Sequence, residues 1–151
     1  MEITITMGGA KITVPTDELF KAWLEKHVNR PDAGLLVPEL KDGELWAGII
    51  VRDSKPHHHV ILLPGEIEDS HWQNSMDWAS SIGGMLPDRC EQALLFANLK
   101  DQFKEEWYWS GAQDASDSDS AWRQFSGSGG QYVCDKDCRL RARAVCSILV
   151  I

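Results

Sequence analysis

Between positions 107 and 132 the chain reads WYWSGAQDASDSDSAWRQFSGSGGQY, with Trp107, Tyr108, Trp109, Trp122, Phe125 and Tyr132 set among serines, aspartates and glycines. Polar content alone suits a disordered acidic tail, but disorder goes with few aromatic and few β-branched residues. Rings at this density have to be buried, and the segment closes on RLRARAVCSILVI, which is apolar and strand-like. The region therefore predicts a platform of short strands, WYWS, AWRQF, GQYV and RARAVCSILVI, with exposed polar connections. Trp109 and Phe125 are expected in its core. Trp122, closely flanked by polar residues, is expected at the rim.

The rest of the chain supplies the support. EITITMGGAKITVP alternates on both sides of Gly8-Gly9 and predicts a β-hairpin. Thr16 caps a helix to about His27, with Leu19, Phe20, Trp23 and Leu24 as its apolar stripe. ELWAGIIV and HVILLPG, joined by the polar turn RDSKPHH, predict a second hairpin central to a sheet. Asp69 or Ser70 then caps a helix on which Trp72, Met76 and Ala79 share a face, and Gly83-Gly84 stops it. Asp88 caps a further helix carrying Leu94, Leu95 and Leu99. With 151 residues there is enough chain for a real core. The expected organisation is a hairpin-helix extension over 1–40 and a main α+β domain over 41–151.

Fifteen basic against 23 acidic residues give a formal charge of −8, which argues against direct nucleic-acid binding and allows a basic partner. No apolar run is long enough to span a bilayer, so no membrane association is expected. MEITITMGG has no basic region followed by an apolar one, so a signal peptide is not expected and a cytoplasmic location, in a host cell, is. On that basis Cys90, Cys134, Cys138 and Cys146 are expected as free thiols.

Candidate chemistry is thin. Cys134 and Cys138 have too few neighbouring ligands for zinc, and His57 and His59 read as solvated residues leading from a turn into a strand, not a chelating pair. Asp114, Asp117 and Asp119 lack the glycine and glutamate of a calcium-binding EF-hand loop and read as a solvated acidic connection. Arg139, Arg141 and Arg143 alternate along a strand and are expected to pair with the abundant acids. No phosphate-binding loop, nucleophile elbow or metalloprotease motif occurs, so no catalysis, cofactor or metal is expected.

MDWASSIGGMLPDRCEQALLFANLKDQF, followed by YWS, AWRQFSGSGG and RLRARAV, resembles a family of domains common in bacteriophages and bacteria, the domain of unknown function numbered 1566. Its pattern is a Trp-bearing helix, Gly-Gly-x-Leu-Pro-Thr, a Leu-rich helix, Tyr-Trp-Ser, Ala-Trp with a nearby Phe and Gly, and a closing Arg-x-Arg-x-Val strand. The resemblance covers roughly residues 44 to 148 and leaves out the first 40. It implies a C-type-lectin-like fold, as in formylglycine-generating enzymes and the variable proteins of diversity-generating retroelements. There, two helices buttress a small twisted sheet and a long loop region forms the ligand surface. This chain departs by having Asp88 where Thr is usual, Cys146 where a further Arg is common, and Ser, Asp and Gly in the displayed stretch in place of Tyr and Asn.

The functional expectation is a noncatalytic phage or prophage protein that recognises a macromolecule, a host protein or a glycan, through the loops from Gln113 to Lys136. The contacting residues would be Gln113, Asp114, Asp117, Asp119, Trp122, Arg123, Gln124, Ser126, Ser128, Gln131, Tyr132, Asp135 and Lys136. Phe20, Trp23 and Leu24 would pack on the domain or pair subunits. The alternative is an acidic antagonist of a bacterial anti-phage defence complex, such as a CRISPR effector, occupying its nucleic-acid groove. An oxidase acting through Cys134 and Cys138 is a third reading.

Overall fold

The computed structural model describes residues 2–7, 10–15, 17–18, 21–22 and 37–150, which belong to two compact units, Met1–Leu36 and Val37–Ile151. In the first unit β1 (Glu2–Met7) pairs antiparallel with β2 (Ala10–Pro15), from Glu2 opposite Pro15 to Met7 opposite Ala10. Asp17, Glu18, Lys21 and Ala22 are helical. The remainder of the expected helix, with Leu19, Phe20, Trp23 and Leu24, lies outside the described residues.

The second unit is mixed α+β. Its elements are β3 (Leu45–Arg52), β4 (Lys55–Leu62), β5 (Ile67–Ser70), α1 (Trp72–Ser81), α2 (Arg89–Leu99), β6 (Trp107–Gln113), β7 (Ser120–Phe125), β8 (Gln131–Asp135), β9 (Leu140–Ala142) and β10 (Val145–Leu149). They form a three-stranded sheet ordered β10-β4-β3 and a five-stranded sheet ordered β5-β9-β6-β7-β8.

The apolar run of β4 is central, as its composition requires, and the β3–β4 turn is only Asp53-Ser54. Both residues sit in the left-handed region, with φ of 50° and 61°, the backbone that a two-residue hairpin turn demands. The expected seven-residue turn is therefore mostly strand, which places His57, His58 and His59 within β4. His58 and His59 are buried, not solvated.

The helices begin and end for local reasons. The first residue outside α1 is His71, not Asp69 or Ser70, because Ser70 is still in β5 and Asp69 has a φ of 50°. His71 O accepts from Ser75 Oγ at 3.0 Å. Gly83, at φ 83°, ends the helix in the left-handed conformation that favours glycine. In α2, Asp88 Oδ1 accepts from Glu91 N and Glu91 Oε2 accepts from Asp88 N, both at 2.8 Å, a reciprocal capping box.

RARAVCSILVI is not one strand. β9 joins the five-stranded sheet and β10 crosses to the other, with the break at Arg143-Ala144. Arg143 donates to Leu63 O and Gln102 O and thereby holds the crossing point. Space there is minimal: a Cβ on Gly84 would stand 2.5 Å from Leu63 Cδ1 and 2.7 Å from Val145 O. One core, with Leu63, Trp72, Ala79, Leu86, Trp109 and Ala142, lies on the five-stranded sheet. A second, with Ala47, Ile50, Val60, Leu62, Leu95 and Val145, lies between α2 and the three-stranded sheet.

Trp109 is fully buried and donates its indole N–H to Ser70 O at 2.9 Å. Phe125, expected in the core, is half-buried instead. It packs on Trp107 with ring centres 5.3 Å apart, at the outer part of the sheet.

Candidate functional site

The β6–β7 loop, residues 114–119, is built from its own side chains. Asp114 accepts from the amide and hydroxyl of Ser116, while Asp117 accepts from Asp119 N and Ser120 Oγ. These are the turn-forming bonds that Asp and Ser make with nearby backbone. The Ser120 hydroxyl holds the exposed Asp117 carboxyl below its usual range, with the Asp119 amide assisting. The loop is ordered by chemistry that composition alone does not reveal.

Lys136 ties this loop to the β8–β9 connection. Its amide donates to Asp119 O at 2.9 Å, and its ammonium donates to Gln113 Oε1 and Ser118 O, both at 2.7 Å. Its carbonyl accepts from Trp72 N at 3.0 Å, at the start of α1. A Cys134–Cys138 disulfide closes the same connection. The expectation of four free thiols is thus corrected, because the short connection brings these Cα atoms to 6.5 Å, within reach of a bridge. Cys90 and Cys146 remain thiols, and burial pushes that of Cys146 up.

The predicted contact residues divide into three groups. Gln113, Asp114, Asp117, Asp119, Asp135 and Lys136 gather around the laced loops, with Gln113, Asp117, Asp119 and Asp135 exposed. On one face of the β7–β8 ribbon Arg123 lies opposite Tyr132. The Arg123 guanidinium stacks 4.0 Å over the Trp107 ring, and the Tyr132 ring stands edge-on to the same indole at 5.9 Å. Trp122, Gln124 and Gln131 occupy the opposite face, against α2.

This last group contributes more to the scaffold than to the surface. The Arg89 guanidinium lies 3.5 Å over the Trp122 ring, and Gln131 exchanges hydrogen bonds with Arg89. Gln124 is buried, donating to Gln92 O while accepting from Gln131. Ser126 is buried as well, its amide bonded to Glu106 O. Gln124 and Ser126 are therefore not displayed, contrary to expectation, because strand alternation turns Gln124 inward. Ser128 alone of the β7–β8 turn candidates is exposed.

Acids engage the arginines unequally. Arg141, only 14% exposed, is held by Glu66, Glu68 and Glu106, and Arg139 meets Asp69 at 3.3 Å. Arg143 has no acidic partner among the described residues and lies 5.5 Å over the Phe103 ring. The hydrogen bond from Arg141 holds the Glu106 carboxyl below its usual range.

The histidines are committed separately. His58 Nε2 meets Glu91 Oε1 at 2.9 Å, both side chains being buried, while His57 Nδ1 lies 2.7 Å from His58 Nδ1. His59 Nδ1 instead accepts from Trp46 Nε1. Sequence reasoning missed this His58–Glu91 pair, although the Asp88-x-x-Glu91 spacing and the histidines leading an apolar run were its visible signals. It also missed the bracing role of Lys136, which sits between the two half-cystines. Among the described residues no group of three His, Cys, Asp or Glu side chains is placed to hold a metal ion. No helix among them is long and apolar enough to cross a membrane.

No family model matches the chain. No curated protein matches it either.

Proposed function

We propose that the protein is a noncatalytic recognition scaffold of the C-type-lectin-like kind, related to the phage and bacterial domains numbered 1566, that presents residues 113–136 to a macromolecular partner in the cytoplasm of a host cell. The lacing of two loops by Lys136 supports this reading most directly. Short polar side chains held in place before contact bind with little ordering cost. Within the predicted set, the display narrows to Gln113, Asp117, Asp119, Ser128, Tyr132 and Asp135, all exposed.

The test is a cross-linked pulldown from a bacterial lysate with the intact chain and with a Tyr132→Ala, Asp135→Asn variant. The side chains of both residues are exposed, so thermal unfolding should be unchanged while partner recovery falls. Equal recovery by both forms would rule the display surface out. The acidic-antagonist reading draws on the charge of −8. Its mark would be recovery that collapses between low and physiological salt, since exposed charges interact less as the Debye length shortens.

A further inference from the structure

Cys134 and Cys138 are bridged across a sequence separation of 4, and the residues between them are all committed. Cys134 is still in the ladder of β8, opposite Ala121 of β7. The next carbonyls each accept a hydrogen bond: Asp135 O from Cys138 N at 2.9 Å, Lys136 O from Trp72 N at 3.0 Å and Asp137 O from His71 Nδ1 at 2.9 Å. The start of α1 is therefore seated on this connection. Among the described residues, every hydrogen bond from 114–119 that leaves the loop and its flanking strands runs to Lys136. The bridge closes a ring around the residue that holds the loop.

A ring this short removes less entropy from the unfolded chain than a long one would, so its main constraint falls on the connection itself. Both half-cystines are only half-buried, and Asp135 and Asp137 between them are exposed, which leaves the sulfurs within reach of a small thiol. In a reducing cytoplasm disulfides are rare, and those that form are ordinarily transient, catalytic or redox-sensing. Cys90 and Cys146 stay as thiols on α2 and β10, so the pair at 134 and 138 is a self-contained couple.

We propose that the Cys134–Cys138 pair is a thiol-sensitive switch of the 113–136 surface, bridged when the surface is held for its partner and opened by a low-molecular-weight thiol such as glutathione. The proposal rests on the display reading above and names its regulation. A glutathione thiolate attacks one sulfur of the bridge, the S–S bond breaks, and the other cysteine leaves as a thiolate that takes up a proton. A second glutathione thiolate attacks the glutathione sulfur of the mixed disulfide and releases the first cysteine, which is protonated likewise. The pair gains two electrons and two protons, and two glutathione molecules leave as one glutathione disulfide. Without the bridge the connection can extend, and the bonds from Lys136 to Gln113, Ser118 and Asp119 lose their fixed anchor. The polar side chains then meet a partner unordered, with the ordering cost that the laced form avoids.

The test equilibrates the full chain in glutathione buffers from fully oxidised to millimolar reduced. Alkylation followed by peptide mass gives the fraction of Cys134 and Cys138 that is bridged. Amide exchange by NMR follows Asp119, Ser120 and Lys136, and a lysate pulldown in the same buffers follows the partner. Millimolar reduced glutathione should open the pair while unfolding stays cooperative. It should also speed exchange at those amides, and cut partner recovery, by about tenfold each. A Cys134→Ser, Cys138→Ser chain should match the reduced form at every ratio. A bridge that persists in millimolar reduced glutathione, unchanged exchange, or full recovery by the reduced chain would each overturn the switch. Loss of cooperative unfolding on reduction would overturn it too, since the bridge would then hold the whole unit. If the bridged chain recovers no more partner than its Tyr132→Ala, Asp135→Asn variant, the display reading itself fails and takes the switch with it, whatever the exchange rates show.

Discussion

The Lys136 ammonium lies 4.3 Å from the centre of the Trp72 ring while donating to Gln113 and Ser118. One cation thus spans the start of α1, the end of β6 and the acidic loop. Replacing it with the similarly long but uncharged methionine should speed amide exchange across residues 114–120 while costing about 1 kcal/mol or less of global stability. Unchanged exchange in that loop would mean that the Asp-Ser turns suffice without the lysine.

The Cys134–Cys138 bridge closes a very short loop. The entropy it removes from the unfolded chain corresponds to about 2 kcal/mol. Cys134→Ser and dithiothreitol treatment should lower the urea midpoint by the same amount, and combining them should add nothing. Additive losses would place a second redox-sensitive group elsewhere in the molecule.

Burial pushes the Tyr108 phenol up to about 12, and the neighbouring Glu66 adds to the shift. A folded-state pKa above the unfolded value, about 10, means the folded form holds this proton longer. Its contribution to stability is complete below pH 10 and is lost as pH rises toward 12. Tyr108→Phe should flatten the stability profile over that window, measured by urea unfolding at successive pH values. An unchanged slope would assign the alkaline loss to other groups.

At Gly84 even one methyl group has nowhere to go, since backbone Val145 O stands 2.7 Å from where it would lie. Gly84→Ala should destabilise by about 1–3 kcal/mol through overpacking. Gly83 has open space at its Cβ but a φ of 83°, so its alanine variant tests conformational strain alone. A neutral Gly84→Ala would show that the sheet crossing yields readily.

Where sequence periodicity and burial agree, the fold was readable. The β3–β4 hairpin, the Asp88 cap and a fully buried Trp109 all follow from local pattern. The β9–β10 break was not readable, because Arg143-Ala144 continues the alternation of RARAV and only the competition of two sheets for the same segment interrupts it. β5 was missed since IEDS carries no apolar alternation and pairs only at Ile67 and Ser70. The candidate site suffered from a related blindness. Composition marks Gln124 and Ser126 as surface-type residues, and only the inward turn of β7 and a bonded amide bury them.

The last strands carry a mechanical consequence. Leu140 to Leu149 is a single short stretch of backbone stitched into both sheets, so neither can come apart and leave its neighbour standing. Melting of the Val37–Ile151 unit should accordingly register as one cooperative step by tryptophan fluorescence and by far-ultraviolet dichroism alike.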